Sequence, residues 1–191
     1  VPRLMREGRV RIYAEQSNRA LWVKFNVTKK PFDDIRVREA LNYAVDKESI
    51  VKNIYQGLAA VIPTLVGPLN NGYAPVKGYP YDPAKARKLL AEAGYPNGFK
   101  TNLWTPKGRY LKDFELAQAV QQQLAAVGVD ASLETADWGT YLAALRKPAA
   151  ENKAEMHLLG WSPSTAEARW GIYPISACDQ FYPRGSNLGF Y

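Results

Sequence analysis

The residues of this chain that could do chemistry gather in two short stretches. In TPKGRY, residues 105–110, Arg109 stands beside Tyr110 and shortly after Trp104. A planar guanidinium can hold a carboxylate through two parallel hydrogen bonds, so this loop suits the acidic terminus of a ligand. In GWSPSTAEARW, residues 160–170, the hydroxyls of Ser162, Ser164 and Thr165 accompany the Glu167 carboxylate, the Arg169 guanidinium and the indoles of Trp161 and Trp170. That set matches a zwitterion. The competing readings are a solvated loop arginine at 109 and a surface ion pair between Glu167 and Arg169, which would contribute only ~0 to 1 kcal/mol.

Catalysis has no positive sign. The sequence has no nucleophile elbow, phosphate-cradling glycine loop or zinc-protease helix. The single histidine, His157, lies in an apolar run and reads as a packed or surface-facing side chain. The carboxylates Asp33 and Asp34 are explained by helix capping. With one histidine and one cysteine, Cys178, the chain has neither a disulfide framework of its own nor a cysteine-based metal site, and no cofactor is expected.

Lys and Arg number 25 against 18 Asp and Glu, a net charge of +7. A basic nucleic-acid-binding module is therefore an alternative, but the cations are scattered and lack interleaved aromatic platforms, so a solvated basic surface is the reading taken. The 191 residues, 47% hydrophobic and 23% charged, fit one globular domain. No stretch approaches the ~20 apolar residues needed to cross a bilayer, so direct membrane insertion is not expected.

Two loops can act together only if secondary structure brings them to one place. Val10, Ile12 and Ala14 alternate like a short strand, and Leu21, Val23, Phe25 and Val27 alternate clearly, with Trp22, Lys24 and Asn26 on the other face. In FDDIRVREALNYAVDKESIVKNIYQG, residues 32–57, Val37, Ala40, Leu41, Ala44 and Val45 make one helical face, capped by Asp33 or Asp34, and Asp46 starts a second helix. Residues 59–81 carry prolines and glycines without a period and read as irregular chain. Asp82 followed by Pro83 opens another helix, ended by Gly94. Beyond it a strand at 99–104, a helix closed by Gly128, a strand at 129–134, a helix capped by Asp137 and a strand at 154–161 alternate. This order predicts an α/β fold, an open and mainly parallel sheet flanked by helices. Ligands of such sheets collect at the carboxyl ends of the strands, where both stretches would lie.

The strings PFDDIRVREALNYAVDKESIV, YPYDPAKARKLLAEAGYPNGF and LLGW resemble the family 5 solute-binding proteins of ABC transporters, which bind peptides, dipeptides, glutathione or nickel. The resemblance runs from about Lys24 to the last residue. It implies that residues 1–191 are a single α/β domain, the C-terminal or second lobe of a two-lobe protein with a type II periplasmic-binding-protein-like fold, truncated at its C-terminal end and lacking its first lobe. It implies a peptide-like ligand, ABC permease subunits as partners, no enzymatic activity, and a periplasmic location, or a membrane-tethered one outside a Gram-positive cell. Relatives that bind dipeptides place an Arg near a Tyr against the ligand carboxylate, where Arg109 and Tyr110 stand, and an acidic residue against its ammonium, where Glu167 stands. The run STAEARW resembles the glutathione-binding branch, whose ligand has two carboxylates and one ammonium. Nickel binding is disfavoured by the want of soft ligands beside His157.

Overall fold

The structure is a computed structural model and describes Arg11, Tyr13 and residues 15–191, so the alternation at Val10, Ile12 and Ala14 lies outside the described residues. The first described strand, β1 (Ala20–Phe25), is followed by α1 (Ile35–Ala44), α2 (Lys47–Asn53) and α3 (Pro83–Glu92). Then β2 (Phe99–Pro106), α4 (Asp113–Ala125), β3 (Val129–Ala136), α5 (Trp138–Leu145), β4 (Met156–Trp161) and α6 (Ala168–Ser176) alternate.

Aspartates start the helices where the sequence places them. Their carboxylates accept from orphan first-turn N–H groups: Asp34 from Arg36 (2.8 Å), Asp46 from Ser49 (2.9 Å), Asp82 from Lys85 (2.8 Å) and Asp137 from Gly139 (3.0 Å) and Thr140 (3.1 Å). Between α3 and β2, Gly98 adopts a φ of +75°, and a Cβ there would overlap the Gly128 carbonyl. Only glycine permits the loops entering β2 and β3 to approach this closely.

The sheet has the order β1-β4-β2-β3. β2 runs parallel to both β3 and β4, while β1 is antiparallel to β4 and forms an edge. One face is covered by α1, α3 and α4, where Val37, Leu41, Leu90, Val120 and Leu124 pack on Leu103, Val129 and Met156. Phe32 completes this core, stacked on Phe25 at 5.5 Å and edge-on to Phe99 at 5.9 Å. On the opposite face Tyr141 and Leu145 of α5 pack with Leu159, Leu188 and Trp104.

Candidate functional site

Because β2, β3 and β4 run the same way, their carboxyl ends share one edge of the sheet, and antiparallel β1 brings its amino end, with Asn18 and Arg19, to that edge. The site is built from four connections: the residues before β1, and those after β2, β3 and β4. Open α/β sheets bind ligands at this edge.

β2 extends through Thr105 and Pro106, so the first loop begins at Lys107. Its shape comes from Asp113, a buried carboxylate that accepts the backbone N–H groups of Gly108 (3.1 Å), Arg109 (2.8 Å) and Tyr110 (2.9 Å). Arg109 is exposed, with its guanidinium 4.7 Å from the Trp138 ring centroid and 5.7 Å from that of Tyr110. Such stacking occupies the flat face of the cation and leaves its N–H edge for hydrogen bonding. Tyr110 is buried, and its hydroxyl donates to the Gly160 carbonyl at 3.2 Å, which ties this loop to the end of β4. Arg19 lies 5.8 Å from the same tyrosine ring. Trp104 is half-buried on the face carrying Tyr141, and its indole N–H has no partner.

The second stretch is part loop and part helix. Trp161 ends β4 opposite Ala20, half-buried, with its indole N–H also unpartnered. Ser162 donates to the Asn18 side chain at 2.5 Å, while Ser164 and Thr165 are exposed. Glu167 accepts from the Asn71 amide at 2.9 Å, and Asn71 also exchanges backbone bonds with Ala166 (2.5 Å) and Ala168 (2.8 Å). The irregular segment at 59–81 therefore reaches the site and holds its acidic residue. Among the described residues Glu167 and Arg169 form no ion pair; those that form are Arg36–Asp34, Lys88–Glu92 and Lys112–Glu115. The loop reading of Arg169 and Trp170 is corrected, since both belong to the first turn of α6 and both are exposed, Trp170 at 58%. The helix start is hidden in the sequence because Glu167 makes no side-chain cap and Pro174 lies inside. Gly171 lets α6 approach, since a Cβ there would collide with Val66 and, at 2.7 Å, Pro163.

His157 is fully buried four positions before the end of β4, about 13 Å along the strand. Burial, reinforced by the nearby Lys24 charge, pushes its pKa down to about 3, so it is neutral near pH 7. Lys24, its cross-strand neighbour, is buried too, and its ammonium donates to the Ile175 carbonyl near the end of α6. Desolvation lowers its pKa to about 8. Cys178 is free and exposed, and among the described residues no three His, Cys, Asp or Glu side chains are grouped to hold a metal.

The structure thus brings Arg109, Tyr110, Trp161, Ser162 and Glu167 to one edge with Trp104 behind them. Sequence reasoning missed Asn18 and Arg19, Asn71, Asp113 and Trp138. Only Asp113 had a local signal, an acidic first-turn residue three positions after Tyr110.

Comparisons with known proteins agree with this architecture. The family model described as bacterial extracellular solute-binding proteins, family 5 middle, matches residues 1–183. The glutathione-binding protein GsiB of Escherichia coli K12 is 39% identical over 189 residues, 98% of this chain and 37% of its own. HbpA2 from Haemophilus parasuis superposes with a TM-score of 0.88 at 26% identity, over 100% of this chain and 37% of that one. The periplasmic binding protein DppA from Helicobacter pylori, in complex with the peptide STSA, gives 0.80 at 32% identity, over 92% and 33%. The chain therefore spans a little over a third of the curated relatives it matches, 37% of their length.

Proposed function

The chain belongs to the bacterial extracellular solute-binding proteins, family 5, and from that premise we propose that it is the second lobe of a two-lobe receptor that captures peptide-like solutes for an ABC importer. The observation that carries this reading is the sheet edge, where a guanidinium stacked on Trp138 and a carboxylate steadied by Asn71 stand on connections joined through Tyr110. Arg109 takes the ligand carboxylate and Glu167 its ammonium. Trp161 and Trp170 supply aromatic walls. Ser162, Ser164 and Thr165 offer hydroxyls at the rim, and Arg169 offers a second cation on the first turn of α6.

A first lobe closes over this edge and excludes water, which strengthens the polar contacts, and the closed form is what permease subunits recognise. The protein works in the periplasm, or tethered outside a cell with one membrane. The names of the relatives, a glutathione-binding protein and a periplasmic protein with a bound peptide, support a ligand with both an ammonium and a carboxylate.

Calorimetry on the complete protein with glutathione, a dipeptide and a longer peptide tests this. Arg109→Ala and Glu167→Ala are each expected to raise the dissociation constant at least ~tenfold, because each removes one partner of a desolvated charge pair. Peptide binding indifferent to both substitutions would discard this site and leave the family assignment intact. The lobe alone, with half the cleft missing, is expected to bind no tighter than ~1 μM.

A further inference from the structure

Arg19 has no part in the scheme above, although it stands on the same edge and against the same ring as Arg109. The two guanidinium carbons lie 5.8 Å and 5.7 Å from the Tyr110 centroid. Both residues are exposed, and among the described residues neither side chain meets a carboxylate or donates a hydrogen bond. Three other arginines are spent on the protein itself, while Arg146 lies alone against a ring, 5.1 Å from the Tyr182 centroid. Arg36 donates to both oxygens of Asp34 and to the Glu92 carbonyl, Arg38 to the Phe32 and Asp33 carbonyls, and Arg87 to the Ala126 carbonyl. At the sheet edge, by contrast, two permanent cations lie against one aromatic ring, and among the described residues neither spends its N–H groups on the protein. Arginine does not lose its charge at any ordinary pH, so both cations are available to an incoming anion.

We propose that Arg19 and Arg109 form a paired guanidinium clamp for an acidic peptide ligand, one bearing a second carboxylate besides the one Arg109 takes. This rests on the peptide-binding reading and adds to it the class of ligand preferred. The geometry suits a short peptide. The guanidiniums are no further apart than the sum of their distances to the shared ring, and three extended residues span about 10 Å. Tyr110, pinned to Gly160 through its hydroxyl and held by Asp113 through its backbone N–H, fixes the ring against which both cations lie. Asn18 is fixed as well, donating to the Pro163 carbonyl at 3.3 Å and accepting from Ser162, so the backbone that carries Arg19 is tied to the β4 loop.

The test measures the affinity of the complete protein, wild type, Arg19→Gln and Arg19→Lys, for two matched pairs: glutathione against its glycyl monoethyl ester, and Ala-Glu against Ala-Gln. Within each pair only one carboxylate differs. Arg19→Gln is expected to weaken the dicarboxylate member of whichever pair binds at least tenfold while changing the monocarboxylate member less than threefold. Arg19→Lys, which keeps the charge without the fork, is expected to recover part of the loss. Equal effects on both members, or none, would overturn the clamp and leave peptide binding standing. A folded wild type that binds none of the four would overturn the clamp, and one that also fails to bind the longer peptide would overturn the peptide-binding reading with it.

Discussion

On the face of the sheet covered by α1, α3 and α4, Phe25, Leu103 and Met156 meet Phe32, Leu41 and Leu90, whereas on the other face Lys24, His157 and Trp104 stand side by side across β1, β4 and β2. The first face is a dry core. The second is equally shut from water at Lys24 and His157, yet it carries a cation, an imidazole with both nitrogens unpartnered, and the unpartnered indoles of Trp22, Trp104 and Trp161. Apolar burial stabilises whatever the pH, while buried titratable groups make stability depend on it. The face that carries Lys24 and His157 is therefore the one whose stability depends more on pH.

Acid should expose this difference most strongly. The His157 pKa is pushed down from 6.5 to about 3, chiefly by burial, so between those values the unfolded chain binds a proton that the folded one refuses. Stability is free of this cost above pH 6.5 and falls as pH drops toward 3, by up to ~5 kcal/mol. Denaturant unfolding of wild type and His157→Leu across that range should show a much shallower acid slope in the variant. Parallel slopes would mean that this face is wetter than its burial indicates. Leu103→Ala, on the dry face, should instead cost ~3 kcal/mol at every pH through the cavity it leaves. Lys24, lowered from 10.5 to about 8 by burial, has the same sign as His157 in a different window. Its cost is absent above pH 10.5 and grows to ~3 kcal/mol as pH falls through 8, so wild type should gain stability relative to Lys24→Met as pH is raised from 8 to 10.5.

The two faces also differ in what the sequence disclosed. Helical spacing at Val37, Ala40, Leu41 and Ala44 and alternation at Val23 and Phe25 were enough to locate the dry core, because a repeating apolar stripe has to be covered. Lys24 and Asn26 occupy the complementary positions of the same strand, where alternation predicts solvent. Both are buried instead, because α6 and the chain after it lie over them, and Asn26 is satisfied by the Ala154 carbonyl at 3.3 Å. Strand periodicity reports which face is apolar and is silent on whether the other is covered. The same limit hid half of the site. Arg19 reaches the binding edge only because β1 is antiparallel to β4, and Asn71 reaches Glu167 from a segment with no period at all. The loops after β2 and β4, by contrast, followed directly from the alternation of strands and helices.

Asp113 lies between these cases, a buried acid that accepts from Phe114 in the first turn of α4 at 2.9 Å and from three N–H groups of the binding loop. Asp113→Asn keeps the size but replaces one acceptor oxygen by a donor that faces backbone N–H groups. A stability loss of ~1 to 2 kcal/mol is expected, with faster hydrogen exchange confined to residues 107–112. Exchange that accelerates throughout α4 instead would make Asp113 a support of the helix rather than of the loop.

The smallest effect on stability is expected at Trp170, and it separates packing from binding. Its ring is 58% exposed on the first turn of α6, where little is lost when it is cut back, so Trp170→Ala should unfold within ~0.5 kcal/mol of wild type. Trp104, half-buried against Tyr141 and Leu159, should be costly to truncate by comparison. If Trp170 is one of the aromatic walls, the same substitution should weaken ligand binding severalfold in the complete protein, because an exposed indole becomes desolvated only when the cleft closes over it. Unchanged affinity together with unchanged stability would place the aromatic contribution on Trp161 alone. That residue is positioned by its register with Ala20, on the face that also carries His157.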